Sequence, residues 1–246
     1  LLSRSLRWRS RGGQTLAIES RRLVSLMDQH LVITEYRITP EDFSGSLEIN
    51  SSLDATPAKT EASDDPRVGS GINPDDLKPL ESRADECGLL VSQQLRSSGF
   101  TLISAGCDQF HGIQPTATQS EQLSPYGAAQ HHQFDAKPGE TITLTKYALC
   151  YSWLDEEKVV STHSIHKHLQ ACCQENFEHY ARQQRQAMDH FWQDSDIEIE
   201  GDPELQQGLR FNLFHLFQSL GRTPGTNIAA KGLTGHGYDG HYFWDS

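Results

Sequence analysis

The sequence predicts an α+β chain with more than one domain, in which an antiparallel β-sandwich comes first and helices follow. Three observations carry this prediction. Apolar and polar residues alternate in several short runs over the first two-thirds of the chain, as in half-buried strands. Turn residues, and no helical pattern, separate these runs, which favours a sandwich over a parallel sheet. Near Thr162 the apolar residues begin to recur every three or four positions, which is typical of helices.

The strand-like runs can be placed along the chain. LVITEYRIT at 31–39 alternates cleanly until Pro40, and proline cannot continue a hydrogen-bonded ladder. SGSLEINSSLD at 44–54 follows a turn and alternates again, so the two runs are predicted to pair as a hairpin. Three further runs are GLLVSQQL at 88–95, GFTLISAGC at 99–107 and ETITLTKYALCYSW at 140–153. We expect the sandwich to extend from about Thr15 to Ser152.

Two polar segments interrupt this pattern. Residues 56–83 are rich in Pro, Asp, Ser and Gly, and residues 109–130 are polar with scattered turn formers. Both are predicted to be long surface loops. The first residues carry a cluster of four arginines, which we interpret as surface residues of an irregular start: Arg4, Arg7, Arg9 and Arg11.

Two helices are predicted in the last third of the chain. The first spans about 165–193, where apolar residues recur amid Gln, Arg, Glu and His. The second spans 203–220, with Asp202 as N-cap, Pro203 at the first position and Gly221 as the C′ residue. The predicted domains are the sandwich at 1–160, a helical linker at 161–201 and a second helical domain that begins at 202–246.

Composition excludes some classes of function. The 246 residues carry a formal net charge of −12, which argues against binding to a nucleic-acid backbone. No run approaches the length of a membrane span or of a secretory leader. The five cysteines have no framework spacing, and we expect Cys172 and Cys173 to be buried thiols. The sequence thus predicts a soluble, cytoplasmic protein that binds neither nucleic acid nor membrane.

Metal and phosphate motifs give no strong match. His236 and His241 are five residues apart in a glycine-rich loop, the histidines from 163 to 168 cluster near the linker, and His131–His132 lies in a predicted loop. None of these spacings is that of a zinc site. The chain contains neither a phosphate-binding P-loop nor a G-x-S-x-G nucleophile motif. We therefore expect no metal and no cofactor.

The glycine-rich tail GTNIAAKGLTGHGYDGHYFWD at 225–245 is the most distinctive stretch. Its glycines allow close approach of backbone to a ligand or positive φ angles. Trp244 next to Asp245 suits a sugar, whose C–H face stacks on an indole while a carboxylate accepts bonds from hydroxyls. The alternative is that Trp244 is a core residue and Asp245 caps a following helix. The residues alone leave both interpretations open.

Several segments resemble one family. KGLTGHGYDGHYFWDS at 231–246 closely resembles the start of the catalytic barrel in glycoside hydrolase family 65, the maltose, kojibiose and trehalose phosphorylases and their trehalase relatives. DIEIEGDPELQQGLRFNLFHLFQS at 196–219 is similar to the family's linker-to-barrel segment. RRLVSLMDQHLVITEYRITPEDFSGSLEINSSLD at 21–54 is similar to two strands of its N-terminal sandwich. The resemblance covers nearly the whole chain, and the final motif is its most specific part.

The resemblance implies a fold and a site. The family fold is a β-sandwich, a helical linker and an (α/α)6 barrel, so 202–246 would begin the barrel. Phe243, Trp244 and Asp245 match the family's glucose-binding loop, and His241 and Tyr238 fall beside them. The catalytic Glu and the phosphate-binding residues lie further downstream in the family, so this chain is expected to be a fragment with no catalytic residue. The polar stretch after Leu53 departs from the family pattern.

The implied activity is an inverting displacement on an α-linked glucose disaccharide. With inorganic phosphate as co-substrate the product is β-glucose 1-phosphate, and the intact enzyme is expected to be a homodimer. Two alternatives stay open: a trehalase-type hydrolase of the same family, and a non-catalytic sandwich with a carbohydrate-binding or structural role. Phosphorylase and hydrolase, and the linkage, are not distinguished by these residues.

Overall fold

The computed structural model describes residues 1–57, 65, 67, 74–153, 161–221, 228–232, 237, 238, 241 and 243. In this part of the chain the strands are β1 Leu2–Arg9, β2 Thr15–Val24, β3 Leu31–Pro40, β4 Gly45–Asp54, β5 Leu77–Asp85, β6 Gly88–Leu95, β7 Thr101–Gly112, β8 Ala117–Ser124, β9 Gly127–Ala136 and β10 Ile142–Trp153. The helices are α1 Thr162–Cys172, α2 Phe177–Ser195 and α3 Pro203–Ser219, and a 3-10 turn spans Pro74–Asp76. Two compact units result: residues 1–56 with 75–185, and residues 57–74 with 186–246.

The strands of the first unit form two antiparallel sheets, which confirms the predicted fold class. The larger sheet has the order β1-β2-β3-β10-β7-β6-β5, and the smaller has the order β4-β9-β8. The alternating run of β3 lies near the centre of the larger sheet, where Ile33 pairs with Tyr147 of β10. Both side chains are fully buried, as expected for residues on the core-facing side of a strand.

The predicted hairpin between 31–39 and 44–54 is wrong. β3 pairs with β2 and β10, whereas β4 pairs with β9 in the other sheet. The link between them is therefore a corner of the sandwich. Asp42 holds this corner, because its carboxylate accepts bonds from the backbone N–H and the hydroxyl of Thr15, both at 2.7 Å. These bonds lower the pKa of Asp42.

Both predicted loops contain strands. Most of β5 falls within 56–83, and β8, with parts of β7 and β9, falls within 109–130. His131 and His132 consequently lie on β9 and not in a loop. The four arginines of the start are exposed, as predicted, but the segment is not irregular, because β1 pairs with β2 over eight positions.

Helix α1 and the first turns of α2 pack against the larger sheet. Ile165, Leu169 and Cys172 form the buried stripe of α1 and join the main core with residues of β10 such as Tyr147 and Leu149. The predicted single helix over 165–193 is instead interrupted at residues 173–176. Asn176 explains the interruption, because its side-chain oxygen accepts from the backbone N–H of His179 at 3.0 Å and so caps α2.

Helix α3 begins as predicted. Asp202 is the N-cap, and its carboxylate accepts from the backbone N–H of Leu205 at 2.9 Å, with Pro203 in the first turn. The predicted C′ role of Gly221 is wrong, because the C-cap residue Leu220 is already extended and the chain leaves the helix there. No residue of α3 is buried. Among the described residues, none of the helices has the length and hydropathy of a membrane span.

Gly88 at the start of β6 tests how tightly the larger sheet is packed. Its φ is +113°, and a Cβ there would collide with the carbonyl oxygen of Gly106. We expect Gly88→Ala to lower the free energy of unfolding by about 1–3 kcal/mol, measured by urea denaturation. The matched control is Gly208→Ala in α3, where an added Cβ would meet nothing within 4 Å. This substitution should raise the free energy of unfolding by about 0.5–1 kcal/mol. Equal effects of the two substitutions would contradict this account of β6.

Candidate functional site

The predicted sugar-binding residues lie at the C-terminal end of the second unit. Tyr238, His241 and Phe243 are among the described residues, whereas Trp244 and Asp245 lie outside them. The backbone N–H of His241 donates to the carbonyl oxygen of Tyr238 at 2.9 Å. This bond closes a turn that brings three of the five predicted residues together.

The turn places two aromatic rings against each other. The rings of Tyr238 and Phe243 meet edge to face, with centroids 5.3 Å apart and an interplanar angle of 89°. Phe243 is 40% exposed and His241 is exposed. Tyr238 has a φ of +52°, the one positive value among the described residues other than glycine, and such strain is common at ligand sites. The turn therefore presents aromatic and imidazole groups to solvent.

The polar stretch after Leu53 reaches this turn, which the sequence did not predict. A Cβ at Gly237 would collide with the carbonyl oxygen of Arg67, so glycine is required for the close approach. The guanidinium of Arg67 forms a two-bonded contact with Asp65, at 2.9 and 2.6 Å. This hydrogen bonding, helped by the charge of Lys231, lowers the pKa of Asp65. The stretch that departs from the family pattern thus contributes backbone to the predicted site.

A second cluster of titratable groups lies in the first unit. The Nε2 atom of His168 hydrogen-bonds to Asp28 at 2.7 Å, and the hydroxyl of Tyr151 hydrogen-bonds to Nδ1 of the same ring. The thiol of Cys172 lies 4.0 Å from Asp28, and one donor atom from each of Asp28, His168 and Cys172 falls within 4.8 Å of the others. A structural zinc site has four ligands, whereas this cluster offers three donor residues, which contact one another. We interpret the cluster as a network that joins the segment after β2 to α1.

Cysteine positions partly follow the prediction. Cys172 is a buried free thiol, as expected. Cys173 is only half-buried, and its sulfur meets that of Cys107 on β7, with Cα atoms 7.9 Å apart. Because relaxed disulfides span about 4.4–6.8 Å between Cα atoms, we describe the pair as a sulfur–sulfur contact. Cys87 and Cys150 are exposed.

The buried thiol should be chemically inert at neutral pH. Burial, and then the charge of Asp28, raise the pKa of Cys172 to about 11, and the thiolate is the reactive form. We expect iodoacetamide at about pH 8 to modify Cys87 and Cys150 within minutes and to leave Cys172 unmodified until the chain is unfolded. Peptide mass spectrometry checks this.

The same shift predicts a pH dependence of stability. The pKa of Cys172 is raised in the folded state above its ordinary value of 9.0, so between about pH 9 and 11 the unfolded chain loses a proton that the folded chain keeps. Its contribution to stability is therefore complete below pH 9 and decreases as pH rises. Cys172→Ala should lose less stability than the wild type over this range. Parallel pH profiles for the two proteins would contradict the buried-thiol assignment.

Comparisons with known proteins agree with the sequence patterns. Residues 1–191 match the N-terminal domain of glycosyl hydrolase family 65, and residues 210–246 match the central catalytic domain of the same family. An alpha,alpha-trehalose phosphorylase of Thermoanaerobacter brockii is 35% identical over the whole chain, which corresponds to 32% of that enzyme. A kojibiose phosphorylase of the same organism is 26% identical over the whole chain and 32% of its own length.

A solved structure shows the same fold. A chain from the human microbiome, described as a candidate kojibiose phosphorylase, superimposes on 99% of this chain with a TM-score of 0.81 and 22% identity, using 30% of its own length. The chain therefore spans about a third of the length of the relatives it matches. The N-terminal family match alone covers 1–191 of the 246 residues. The chain belongs to glycosyl hydrolase family 65.

Proposed function

We propose that the protein is an inverting disaccharide phosphorylase that acts on an α-linked glucose disaccharide and releases β-glucose 1-phosphate. The observation that carries the proposal is the continuous match of this chain to relatives named as trehalose and kojibiose phosphorylases. The match runs from the sandwich into the first part of the catalytic domain. The activity is that of the full-length enzyme, whose general acid we expect downstream of Ser246.

The proposed reaction is a single displacement with inversion. A carboxylic acid protonates the glycosidic oxygen while phosphate attacks the anomeric carbon from the opposite face. The C–O bond to the leaving sugar breaks as the bond to phosphate forms. Phosphate is already anionic, so the step needs no general base, whereas attack by water would need a second carboxylate. No metal or organic cofactor enters this scheme, and dialysis against EDTA should leave activity intact.

This chain would contribute one wall of the glucose subsite. The edge-to-face pair of Tyr238 and Phe243 gives the turn at 238–243 an aromatic surface, and aromatic faces suit the C–H faces of sugars. We propose that Trp244 stacks on the glucose ring and that Asp245 accepts hydrogen bonds from its hydroxyls. His241, which is exposed beside Tyr238, would line the same subsite.

Trehalose is the first substrate to test. The trehalose phosphorylase of T. brockii shares 35% of residues with this chain, and the kojibiose phosphorylase of the same organism shares 26%. The full-length enzyme should convert trehalose and inorganic phosphate to glucose and β-glucose 1-phosphate, followed by anomer-resolved NMR. Maltose and kojibiose are the comparison substrates. The 246-residue chain alone is the matched control and should be inactive with all three.

Each outcome of this assay is informative. Release of glucose when no phosphate is present would show that the enzyme is a trehalase-type hydrolase and not a phosphorylase. Retention of the α-anomer would contradict the inverting displacement. Turnover by the 246-residue chain alone would show that a general acid lies within it. We also propose a cytoplasmic homodimer, for which light scattering of the full-length enzyme should give twice the protomer mass.

A further inference from the structure

A cleft in the sandwich unit, far in sequence from the turn at 238–243, has the features of a second ligand site. Its volume is about 660 Å³, which is within the range of small-molecule pockets. One side is formed by β7 from Cys107 to His111, and another by the connection between α1 and α2 from Cys173 to Asn176. The connection between β7 and β8, parts of β8 and β9, and the turn that leads into β6 complete the lining.

An open strand edge lies along the cleft. β10 pairs with β7 as far as Gly112, whereas β6 pairs with β7 only as far as Gly106, opposite Leu89. Residues 107–112 therefore have a strand neighbour on one side only among the described residues. Their other side lies along the cleft, where the side-chain nitrogen of Gln114 donates to the carbonyl oxygens of Phe110 and Gly112. The remaining backbone donors and acceptors of this edge are not used by the sheet and are open to a ligand.

Four glutamines in the lining are held in a common way. Each donates its side-chain nitrogen to a backbone carbonyl: Gln109 to Cys173 at 2.7 Å, Gln114 to Phe110 at 3.0 Å, Gln130 to Asp85 at 3.0 Å and Gln174 to Gln170 at 3.4 Å. Because a carbonyl oxygen can only accept, the amide nitrogen must face it, and the amide oxygen faces elsewhere. Each of the four amide oxygens is thereby left as an acceptor, and none of them hydrogen-bonds to another group in the part of the chain that the structure describes.

One member of the lining, Asp108, is a buried carboxylate. The side chain of Asp108 is 1% exposed, and its Oδ2 lies 3.1 Å from Nε2 of His132. The other nitrogen of that ring is bonded to the hydroxyl of Thr118 at 3.0 Å. The second oxygen of Asp108, Oδ1, is buried with no hydrogen-bond partner in the described structure. A buried polar atom without a partner is costly, and a ligand hydroxyl or a ligand-bound water would satisfy it.

The charges of the lining restrict the chemistry of the ligand. The lining contains the carboxylates of Glu86, Asp108 and Glu175 and neither lysine nor arginine among its residues. An anion such as phosphate is therefore repelled. The amide oxygens and carboxylates are acceptors, so the ligand must bring many donors and no negative charge. Phe110 adds an aromatic ring, held in place by edge-to-face contacts with His132 and Phe134.

We propose that this cleft binds a neutral oligosaccharide on the sandwich domain, as a site separate from the glucose subsite. Hydroxyl groups match the four glutamine acceptors and the Asp108 carboxylate, and the open edge of β7 supplies backbone donors and acceptors. An extended peptide would use the same edge, but it does not need the four side-chain acceptors. The proposal stands independently of the phosphorylase activity.

The test uses the 246-residue chain labelled with 15N and titrated with maltotriose while its amide signals are followed. We expect saturable shifts at residues 107–112 and 173–176. Gln114→Ala, at an exposed position, should raise the dissociation constant for maltotriose roughly threefold to tenfold. The double variant Gln109→Ala/Gln114→Ala should raise it further. Gln122→Ala, an exposed glutamine on β8 outside the lining, is the matched control and should bind like the wild type.

The outcomes separate this site from the active site. Shifts confined to 238–243 would support the glucose subsite and overturn the cleft proposal. Loss of binding in Gln122→Ala, or unchanged binding in both lining variants, would also overturn it. Inorganic phosphate and an extended hexapeptide are titrated in parallel, and saturation of the cleft by either one but not by maltotriose would refute the sugar assignment. Melting temperatures of the variants show whether each remains folded.

Discussion

Asp245→Asn in the full-length enzyme should lower kcat/KM for the disaccharide roughly tenfold to more than a hundredfold, with the melting temperature unchanged. A hydrogen bond to a charged group contributes about 1.5–3 kcal/mol, and each 1.36 kcal/mol corresponds to about a factor of ten in rate. Asparagine keeps the size of the side chain but removes one acceptor oxygen and the charge. The measurement is steady-state phosphorolysis together with thermal unfolding of the same preparation.

The competing role for Asp245 is that of a helix N-cap, and the chain offers a matched control for it. Asp202 is an N-cap with an observed bond to the backbone N–H of Leu205. Asp202→Ala should lower the free energy of unfolding by about 1 kcal/mol and leave kcat/KM near the wild-type value. If Asp245→Ala behaved like Asp202→Ala, with stability lost and catalysis kept, Asp245 would be a cap and not a sugar ligand.

Phe177→Ala should have the largest effect on stability, lowering the free energy of unfolding of the 246-residue chain by about 3–5 kcal/mol. Phe177 is 2% exposed and belongs to the core between the larger sheet and the helices. The guanidinium of Arg21 lies 4.3 Å from its ring centroid, and Arg21 also bonds to Glu35 and Glu178. Removing the ring therefore leaves a cavity and takes away the aromatic face under this cation.

The control for this prediction is Phe211→Ala on α3, because Phe211 is 62% exposed. A substitution there should change stability by less than about 0.5 kcal/mol. Urea denaturation of both variants, with similar m-values, gives the comparison. A loss below about 1 kcal/mol for Phe177→Ala would mean that α2 is not fixed to the sheet by this residue.

The parts of the fold that were predictable are those whose residues face a core. β3 and β10 alternate because one side of each is buried, as Ile33 and Leu149 are, and this alternation is visible in the sequence. β8 could not be found this way, because ATQSEQLS is exposed at nearly every position and is a strand only through its pairing with β9. A solvent-exposed edge strand leaves little hydrophobic pattern.

The same limit applies to the candidate sites. The turn at 238–243 was found through its glycines, aromatics and family resemblance. The contact of Gly237 with the carbonyl of Arg67 joins residues 170 positions apart through a polar stretch that has no periodic signal. The pair of Asp108 and His132 was missed for a similar reason: it lies across two sheets, and only the placement of β7 and β9 brings it together. Pairing of strands distant in sequence is not encoded locally.

The order of the core along the chain has a consequence for synthesis on the ribosome. The main core cluster draws all its buried members from between Leu23 and Tyr180, so the whole cluster is translated before α3. The sandwich unit can therefore close as a cotranslational folding unit. Helix α3, which exposes Phe211 and Leu216, is translated after this unit. We expect nascent chains to gain protease resistance once α2 has left the exit tunnel and to engage chaperones afterwards, through the apolar side chains of α3.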